Sequence, residues 1–278
     1  MNLKNRIFSL IEVIVESLKF NGISMTLLVL YHYARTRFFV NTCRNPYEFL
    51  GFKLKYLDRN YLYYIFFEQF GLNSYYFRSK TNNPVIIDIG ANIGDTMIYF
   101  KWLYPRSIIF AFEPHPLAFD CLKANIKNNK FHHVYAYDSA LGNTKGLVDL
   151  FNSEMTAAST ASIKISYKEQ NYKKTASLSK VKIDKLSNFK EINKLEKVDL
   201  LKMDIEGAEG ELFKSLDFIL PKTKKIIIEY HLLPEIKENS FDQIIAKLNS
   251  YNFKVSVKGF YRNDLNQARS ISLIIADK

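Results

Sequence analysis

A turn at residues 88–95 combines two glycines with two aspartates and an asparagine. A β-branched run at 85–89 leads into it, and helix-compatible sequence follows. In an open α/β sheet, the first strand carries such a turn at its carboxyl end, where a small ligand binds. Glycine at positions 90 and 94 lets the backbone approach a ligand that a Cβ atom would block. The segment therefore predicts a nucleotide-type site above the first strand.

Two further residues limit which class of ligand the turn can bind. Glu113 ends the strand predicted at 108–112, 19 residues beyond Gly94, where a carboxylate accepts hydrogen bonds from ribose hydroxyls. The dinucleotide fingerprint needs a glycine where this chain has Asn92, and no glycine follows Gly94 at the required spacing. Asn suits an unusual turn conformation and bonds its neighbours. The turn therefore favours S-adenosylmethionine (SAM) over a dinucleotide, and Asp88 would act on its ammonium group directly or through water.

A second acidic group follows the strand predicted at 198–203. Acids at the start of a helix offset the positive end of its dipole, which explains one acid better than three. Asp204 and Glu206 are therefore predicted to line the site, and Glu209 to be structural. A carboxylate there can take the proton from an alcohol that receives a methyl group. His231, at the end of the fifth strand, is a further candidate base.

A metal is the alternative reading of this acidic group. Asp204, Glu206 and Glu229 offer the oxygen ligands that a hard divalent cation prefers. Spacing alone does not separate this reading from the base. The residue pattern favours a general base, and no metal site is predicted.

Four motifs together resemble the FkbM-type SAM-dependent methyltransferases. They are residues 88–95, Glu113-Pro114-His115-Pro116, the block from Leu201 to Glu209 (Leu-Lys-Met-Asp-Ile-Glu-Gly-Ala-Glu) and Ile228-Glu229-Tyr230-His231. The resemblance covers roughly residues 85–258. It implies an α/β fold of the class I methyltransferase (Rossmann-like) type, with a seven-stranded, mainly parallel sheet and an antiparallel last strand. The implied activity is O-methylation of a hydroxyl on a glycan, glycolipid or secondary metabolite.

The same resemblance implies which residues would contact each part of SAM. The methionine part of SAM would lie among Asp88, Gly90, Asn92 and Gly94, and Asp95 is a further cofactor-binding candidate. Glu113 would bind the ribose, and Asp138 and Ser139 would lie near the adenine.

The elements that must position these residues alternate along the chain. Strands are predicted at 85–89, 108–112, 133–137, 198–203, 225–230, 252–257 and 270–275, and helices near 93–103, 116–128, 208–216 and 240–249. This alternation predicts a mainly parallel sheet covered on both faces. The last two strands lack a helix between them, which predicts an antiparallel pair. Between these elements, 146–151 and 179–183 have the pattern of short strands, and the polar insert at about 152–178 is read as a linker or a mobile flap.

Residues 1–83 form a separate extension in this reading, and 84–278 form the catalytic domain. Helical spacing at 3–20 and an apolar stretch at 23–40, both near basic residues, suit either packing on the domain or contact with a membrane surface. The longest uncharged run, 20–34, has 15 residues and is predicted too short to span a membrane. The start also lacks the pattern of a cleaved export signal. A cytoplasmic protein, with a possible peripheral membrane contact, is the expectation.

Charge and cysteine content limit the partners and the compartment. Residues 1–83 hold 11 Lys and Arg against 5 Asp and Glu, so +6 of the net charge of +11 lies there. No nucleic-acid motif accompanies this charge, which disfavours a nucleic-acid partner but leaves RNA methylation as a second hypothesis. A catalytically silent module that recruits a partner or a membrane through residues 1–40 is a third. Cys43 and Cys121 have no metal or redox spacing, so no disulfide is predicted and a reducing compartment is favoured.

Overall fold

The computed structural model describes residues 3–152, 177–232, 240–260 and 271–278. The interpretation of the insert as a linker or a flap falls almost wholly outside these ranges. In chain order the elements are α1 (Leu3–Phe38), β1 (Tyr47–Phe49), β2 (Phe52–Leu54), α2 (Leu62–Tyr64) continuing into a π-helix (Ile65–Gly71), β3 (Val85–Ile89), α3 (Asp95–Leu103), β4 (Ile108–Phe112), α4 (Pro116–Asn128), β5 (Val134–Tyr137), β6 (Ala140–Leu141), β7 (Gly146–Asn152), β8 (Ser177–Asp184), α5 (Lys190–Asn193), β9 (Val198–Met203), α6 (Glu209–Phe213), β10 (Thr223–His231), α7 (Phe241–Ser250), β11 (Lys254–Phe260) and β12 (Ile271–Asp277).

Seven strands form one sheet in the order β11-β12-β10-β9-β3-β4-β5. The pairs from β10 to β5 are parallel, and β12 runs antiparallel to both β10 and β11. This confirms the predicted mainly parallel sheet and the predicted antiparallel pair at its end. The strand order reverses between β3 and β9, because the chain moves outward from β3 to one edge and then returns to β9. Ligands bind at such a switch point in open α/β sheets.

Both faces of the sheet are covered, as the apolar strand sequences predict. Successive side chains of a strand point to opposite faces. Ile86 therefore packs in one core with α3, α4 and the aromatic residues of the N-terminal extension. Ile87 packs in the other core with α6 and α7. The extension thus shares a hydrophobic core with the sheet through its buried aromatic residues.

Helix α1 spans both segments that the sequence predicts as helical, with a break at Gly22, whose φ of 71° and ψ of 174° are not helical. Its residues 13–38 have a mean hydropathy of 1.5 and are long and apolar enough to cross a membrane by length and composition alone. The prediction that no segment reaches this threshold is therefore wrong. It counted only uncharged residues, whereas a span tolerates a few charges near its ends. Core helices of soluble proteins also pass this test, so it is weak evidence for a span.

A second, small sheet in the order β6-β8-β7 lies between β5 and β9 in the chain. It confirms the two short strands that flank the insert. Ala140, Leu141 and Leu150 of this sheet line the cleft described below. Cys43 and Cys121 are both free and buried.

Candidate active site

The carboxyl ends of β3, β4 and β9 open into a cleft of about 610 Å³, a volume that includes space open to solvent. Its lining is Ile89, Gly90, Asn92, Phe112, Glu113, Pro114, Ser139, Ala140, Leu141, Leu150, Asp204, Ile205, Glu206 and Ala208. Six residues predicted to form the site therefore come together here: Gly90, Asn92, Glu113, Ser139, Asp204 and Glu206. The other predicted residues, Asp88, Gly94, Asp95, Asp138 and His231, lie outside this lining.

The glycine turn serves two different purposes. A Cβ atom on Gly90, at φ 79°, would lie 1.8 Å from the carbonyl oxygen of Asp204, so only glycine fits against β9. A Cβ atom on Gly94, at φ 85°, would lie 2.7 Å from Cδ1 of Leu122 on α4. Gly94 therefore permits helix packing, whereas Gly90 lets the turn and Asp204 meet in the cleft. Asn92 lies between them at φ 49°, in the left-handed region, which is an unusual turn conformation of the kind that its residue type suggested.

Glu113 is fixed by the turn that it faces. Its Oε2 accepts a hydrogen bond from the Asn92 backbone N–H at 2.8 Å, and its Oε1 accepts one from the His115 backbone N–H at 2.7 Å. Burial raises the pKa of the Glu113 carboxyl to about 7, although both N–H groups act in the opposite direction. Each carboxylate oxygen has a further lone pair for a ligand hydroxyl. This geometry suits the predicted ribose contact.

Asp88 lies behind the turn and is fully buried. Its Oδ2 accepts a hydrogen bond from Thr96 Oγ1 at 2.6 Å, and its Oδ1 lies 3.1 Å from Nζ of Lys202. Lys202 Nζ also donates to the Gly90 carbonyl at 2.6 Å. Asp88 thus supports the turn from below and does not face the cleft, unlike the ammonium contact predicted for it. The supporting Lys202 was missed, although a lysine inside an apolar strand was a signal for it.

The remaining predicted cofactor residues differ in position. Asp95 begins α3, is buried and accepts a hydrogen bond from Gln69 of the extension. Burial raises its pKa. Asp138 is exposed, and its Oδ2 lies 3.8 Å from Nζ of Lys182. Ser139 lines the cleft and donates its hydroxyl proton to the Ala140 carbonyl at 2.8 Å. Of the predicted adenine neighbours, Ser139 alone reaches the cleft.

His231 lies at the centre of a group of carboxylates. Its Nδ1 lies 2.9 Å from Oε1 of the buried Glu209. Its Nε2 lies 3.5 Å from Glu206, 3.9 Å from Glu229 and 4.0 Å from Asp204. Burial lowers the pKa of this imidazole, but the surrounding carboxylates outweigh burial and hold it well above its usual value. These carboxylates therefore favour the protonated form of the His231 ring. A protonated ring donates and does not accept, which disfavours His231 as the base.

Asp204 has the opposite electrostatic balance. Burial and the nearby Glu229 raise the pKa of its carboxyl well above the usual value, and Lys202 and His231 oppose them. Its side chain is 27% exposed, and it lines the cleft. Among these acids it combines access with raised basicity, as a general base requires. Asp204, Glu206 and His231 also each place one potential metal-ligand atom within 4.8 Å of the others, so His231 replaces Glu229 in the metal alternative.

One residue of the group comes from the N-terminal extension. Tyr75 is buried and donates its hydroxyl proton to Glu229 Oε2 at 2.8 Å. Nζ of Lys202 lies 5.5 Å from the centre of its ring. The sequence around Tyr75 is rich in aromatic residues and gave no reason to predict its contact with Glu229. The extension therefore completes the charged group beside the cleft.

The sheet order, the cleft at the switch point and the glycine turn define a class I methyltransferase. The model of the FkbM methyltransferase domain matches residues 88–255. The chain belongs to this family of SAM-dependent methyltransferases, which confirms the resemblance predicted from the four motifs.

Three named methyltransferases are similar to part of this chain. The chain is 31% identical over 177 residues to Methyltransferase sdnD of Sordaria araneosa, covering 55% of this chain and 68% of that protein. It is 34% identical over 148 residues to Methyltransferase 1 of Beauveria bassiana, covering 49% and 59%. It is 27% identical over 156 residues to the 2-O-methyltransferase NoeI of Sinorhizobium fredii, covering 53% and 63%. The matched regions span about two thirds of these relatives or less.

Solved structures show a more distant likeness. The FkbM methyltransferase of Methylobacillus flagellatus is 11% identical, with 77% of this chain and 54% of that chain covered and a TM-score of 0.45. The M. jannaschii TYW2 structure is 14% identical, with 84% and 86% covered and a TM-score of 0.44. At these scores the likeness adds nothing to the topology described above.

Proposed function

We propose that this protein transfers the methyl group of SAM to a hydroxyl oxygen of a glycan, a glycolipid or a secondary metabolite. The observation that carries the proposal is Asp204, a carboxylate of raised pKa in the same cleft as the glycine turn and Glu113. The name of the relative NoeI, a 2-O-methyltransferase, supports transfer to oxygen.

The residues of the cleft suit SAM. Glu113 offers a carboxylate to the ribose, and Gly90 leaves the turn without a side chain at the switch point. Oδ1 of Asn92 is buried and has no hydrogen-bond partner among the described residues, so it can accept one from a ligand. When bound, SAM supplies an electrophilic methyl group on a sulfonium.

The chain supplies proton removal and positioning. Asp204 would accept the proton of the acceptor hydroxyl, which makes the oxygen nucleophilic. Lys202 Nζ and His231 Nε2, each 4.0 Å from an Asp204 oxygen, favour its ionised form before the reaction. Fixed charges of this kind need no rearrangement when the proton moves. Partial burial of Asp204 also limits the water that competes with the acceptor.

Methylated product and SAM binding test the proposal together. The protein would be incubated with SAM that carries a labelled methyl group and with a cell extract, and products would be identified by mass. A label on an oxygen of a glycan, lipid or metabolite is expected. Label on RNA alone would replace the proposal with the RNA hypothesis. Calorimetry that detects no SAM binding would contradict methyl transfer altogether and leave the silent-module hypothesis.

SAM affinity is expected to depend on pH through Glu113. The raised pKa of about 7 means that this carboxyl is ionised above neutral pH and protonated below it. Because ribose hydroxyls donate to the ionised form, the Kd for SAM should rise about tenfold from about pH 8 to about pH 6. Calorimetry across this range measures the change.

The matched variant for this prediction is Glu113→Gln. It keeps the shape of the side chain and removes its titration, so it should bind SAM more weakly but with a flat pH dependence. If the Kd of the unsubstituted protein for SAM also did not change with pH, the proposed contact between Glu113 and the ribose would be contradicted.

Tyr75→Phe is expected to shift the pH dependence of catalysis. The substitution removes the hydroxyl that donates to Glu229. The less neutralised Glu229 carboxylate should raise the pKa of Asp204 further, so kcat/KM should rise at higher pH than in the unsubstituted protein. The pH profile of kcat/KM checks this.

Tyr104→Phe is the control for Tyr75→Phe. It also removes a hydroxyl, one that donates to the Phe77 carbonyl at 2.9 Å, away from the carboxylates. The Tyr104 hydroxyl also accepts a hydrogen bond from the Ser79 backbone N–H at 2.9 Å. Both variants should lose stability, but only Tyr75→Phe should shift the profile. An equal shift in both variants would reduce Tyr75 to a purely structural role.

A further inference from the structure

Helix α1 has one buried and one exposed face beyond Gly22. Its buried residues there, Thr26, Val29, His32 and Thr36, pack on the domain. On the exposed face lies the α1 apolar stripe: Ile23, Leu27, Tyr31 and Phe38, which are 71%, 62%, 56% and 71% exposed. At the helical repeat of about 100° per residue, the stripe covers an arc of about 80° opposite the buried face. Three large apolar side chains at helical spacing, Ile11, Val15 and Leu18, are also exposed before the break.

Basic side chains border the α1 apolar stripe. Residues 13–44 contain Lys19, Arg35, Arg37 and Arg44 but a single acid, Glu16. On the helical repeat, Arg35 and Arg37 fall on opposite sides of the stripe. The Arg35 guanidinium lies 5.5 Å from the Tyr47 ring centre, and the Arg37 guanidinium lies 4.5 Å from that of Tyr63. An apolar strip with an arginine on each side complements the surface of an anionic bilayer.

We propose that the α1 apolar stripe docks this protein on the surface of a bilayer that contains anionic lipid. The helix lies in the plane of the interface, with the stripe among the acyl chains and the arginines at the phosphate level. This inference does not rest on the methyl acceptor or on the reaction.

The buried face of α1 favours this orientation over a span. Asn21 Nδ2 donates to the Phe70 carbonyl at 2.8 Å, and His32 Nδ1 lies 2.7 Å from the Tyr47 hydroxyl. A helix surrounded by lipid would give up these contacts and place their polar groups in hydrocarbon. An in-plane helix keeps them, because only the opposite face meets the lipid.

Charge favours a membrane over a second copy of the chain. A twofold contact through the stripe would bring Arg35 and Arg37 of both copies together without a matching acid in residues 17–44. Like charges across an interface oppose association. Anionic lipids instead attract each arginine.

Vesicle flotation of the full-length protein tests the proposal. Vesicles of phosphatidylcholine alone are compared with vesicles that also contain phosphatidylglycerol, at low and high salt. Binding is expected on the anionic vesicles at low salt, and high salt should weaken it. Leu27→Ser/Tyr31→Ser should weaken binding about tenfold or more, because it removes apolar area from the interface. Arg35→Gln/Arg37→Gln should weaken it by at least about fivefold.

Leu117→Ser/Leu147→Ser is the matched control, since these leucines are 59% and 65% exposed on α4 and β7. It should bind vesicles like the unsubstituted protein. Three results would overturn the proposal: no flotation with anionic vesicles, equal loss in the control and stripe variants, or a dimer in solution that the stripe substitutions dissociate. The arginine variant and the salt dependence keep the test decisive if the stripe variant fails to fold. SAM binding should also be measured for every folded variant. A variant that binds SAM normally but no longer binds vesicles has lost membrane docking and not the cofactor site.

Discussion

Asp204→Asn is expected to lower kcat by about 10²- to 10⁴-fold, the usual contribution of a general base. The amide has nearly the shape of the carboxylate but cannot take a proton from the acceptor. Because Asp204 lies beside the cofactor turn and not beneath it, the Kd for SAM should change little. In the unsubstituted protein kcat/KM should rise with pH as Asp204 ionises, at a pH above the usual range of an aspartate.

Steady-state kinetics with the acceptor found in the labelling experiment, together with calorimetry of SAM, measure both effects. Asp120→Asn on α4 is the control, since its exposed carboxylate lies 3.0 Å from Lys123 and its loss should leave kcat unchanged. The assays should be repeated with EDTA, because Asp204, Glu206 and His231 are close enough to hold a cation. Near wild-type activity of Asp204→Asn would remove it as the base, and activity abolished by EDTA would assign these residues to a metal.

Lys202→Met is expected to destabilise the protein by about 3–5 kcal/mol, the typical cost of breaking a buried ion pair from one side. Asp88 would remain fully buried with Thr96 as its partner, and the Gly90 carbonyl would lose its donor. The melting temperature should fall by about 10 °C. SAM binding should weaken too, because the turn loses its support.

Two variants test whether the loss of stability comes from the buried Lys202–Asp88 pair or would follow the removal of any lysine. Lys225→Met removes a neighbouring lysine whose partner Asp277 is 54% exposed, so it should cost at most about 1 kcal/mol. Asp88→Asn with Lys202→Met removes the stranded charge as well and should recover part of the stability. Thermal denaturation measures all three. A Lys202→Met protein as stable as the Lys225→Met protein would contradict the role of the buried pair.

Three strand positions were predictable because each strand is a short, mainly apolar run that ends at a glycine or at an acidic residue. The strands at 85–89, 108–112 and 198–203 agree with the structure residue for residue. Helix ends were less accurate, and the helix expected near 208–216 covers only Glu209–Phe213. The irregular Gly207 at φ 101° and the short turns after Phe213 explain the difference.

The sequence by itself determined that Gly90, Glu113 and Asp204 meet in the cleft. Gly90, Glu113 and Asp204 each follow a parallel strand directly, and parallel strands end at one edge of the sheet. The order of elements along the chain is therefore enough to predict that these three residues lie close together.

Only the tertiary structure decided which charged groups pair and how they are protonated. Lys202 contacts Gly90 over 112 residues of chain, and Tyr75 contacts Glu229 over 154. No local pattern encodes such contacts, because they depend on how strands and helices stack in three dimensions. The pKa of a buried group depends in turn on every charge around it. For this reason the structure, and not the sequence, places Asp88 beneath the turn beside Lys202 and surrounds His231 with carboxylates that favour its protonated form.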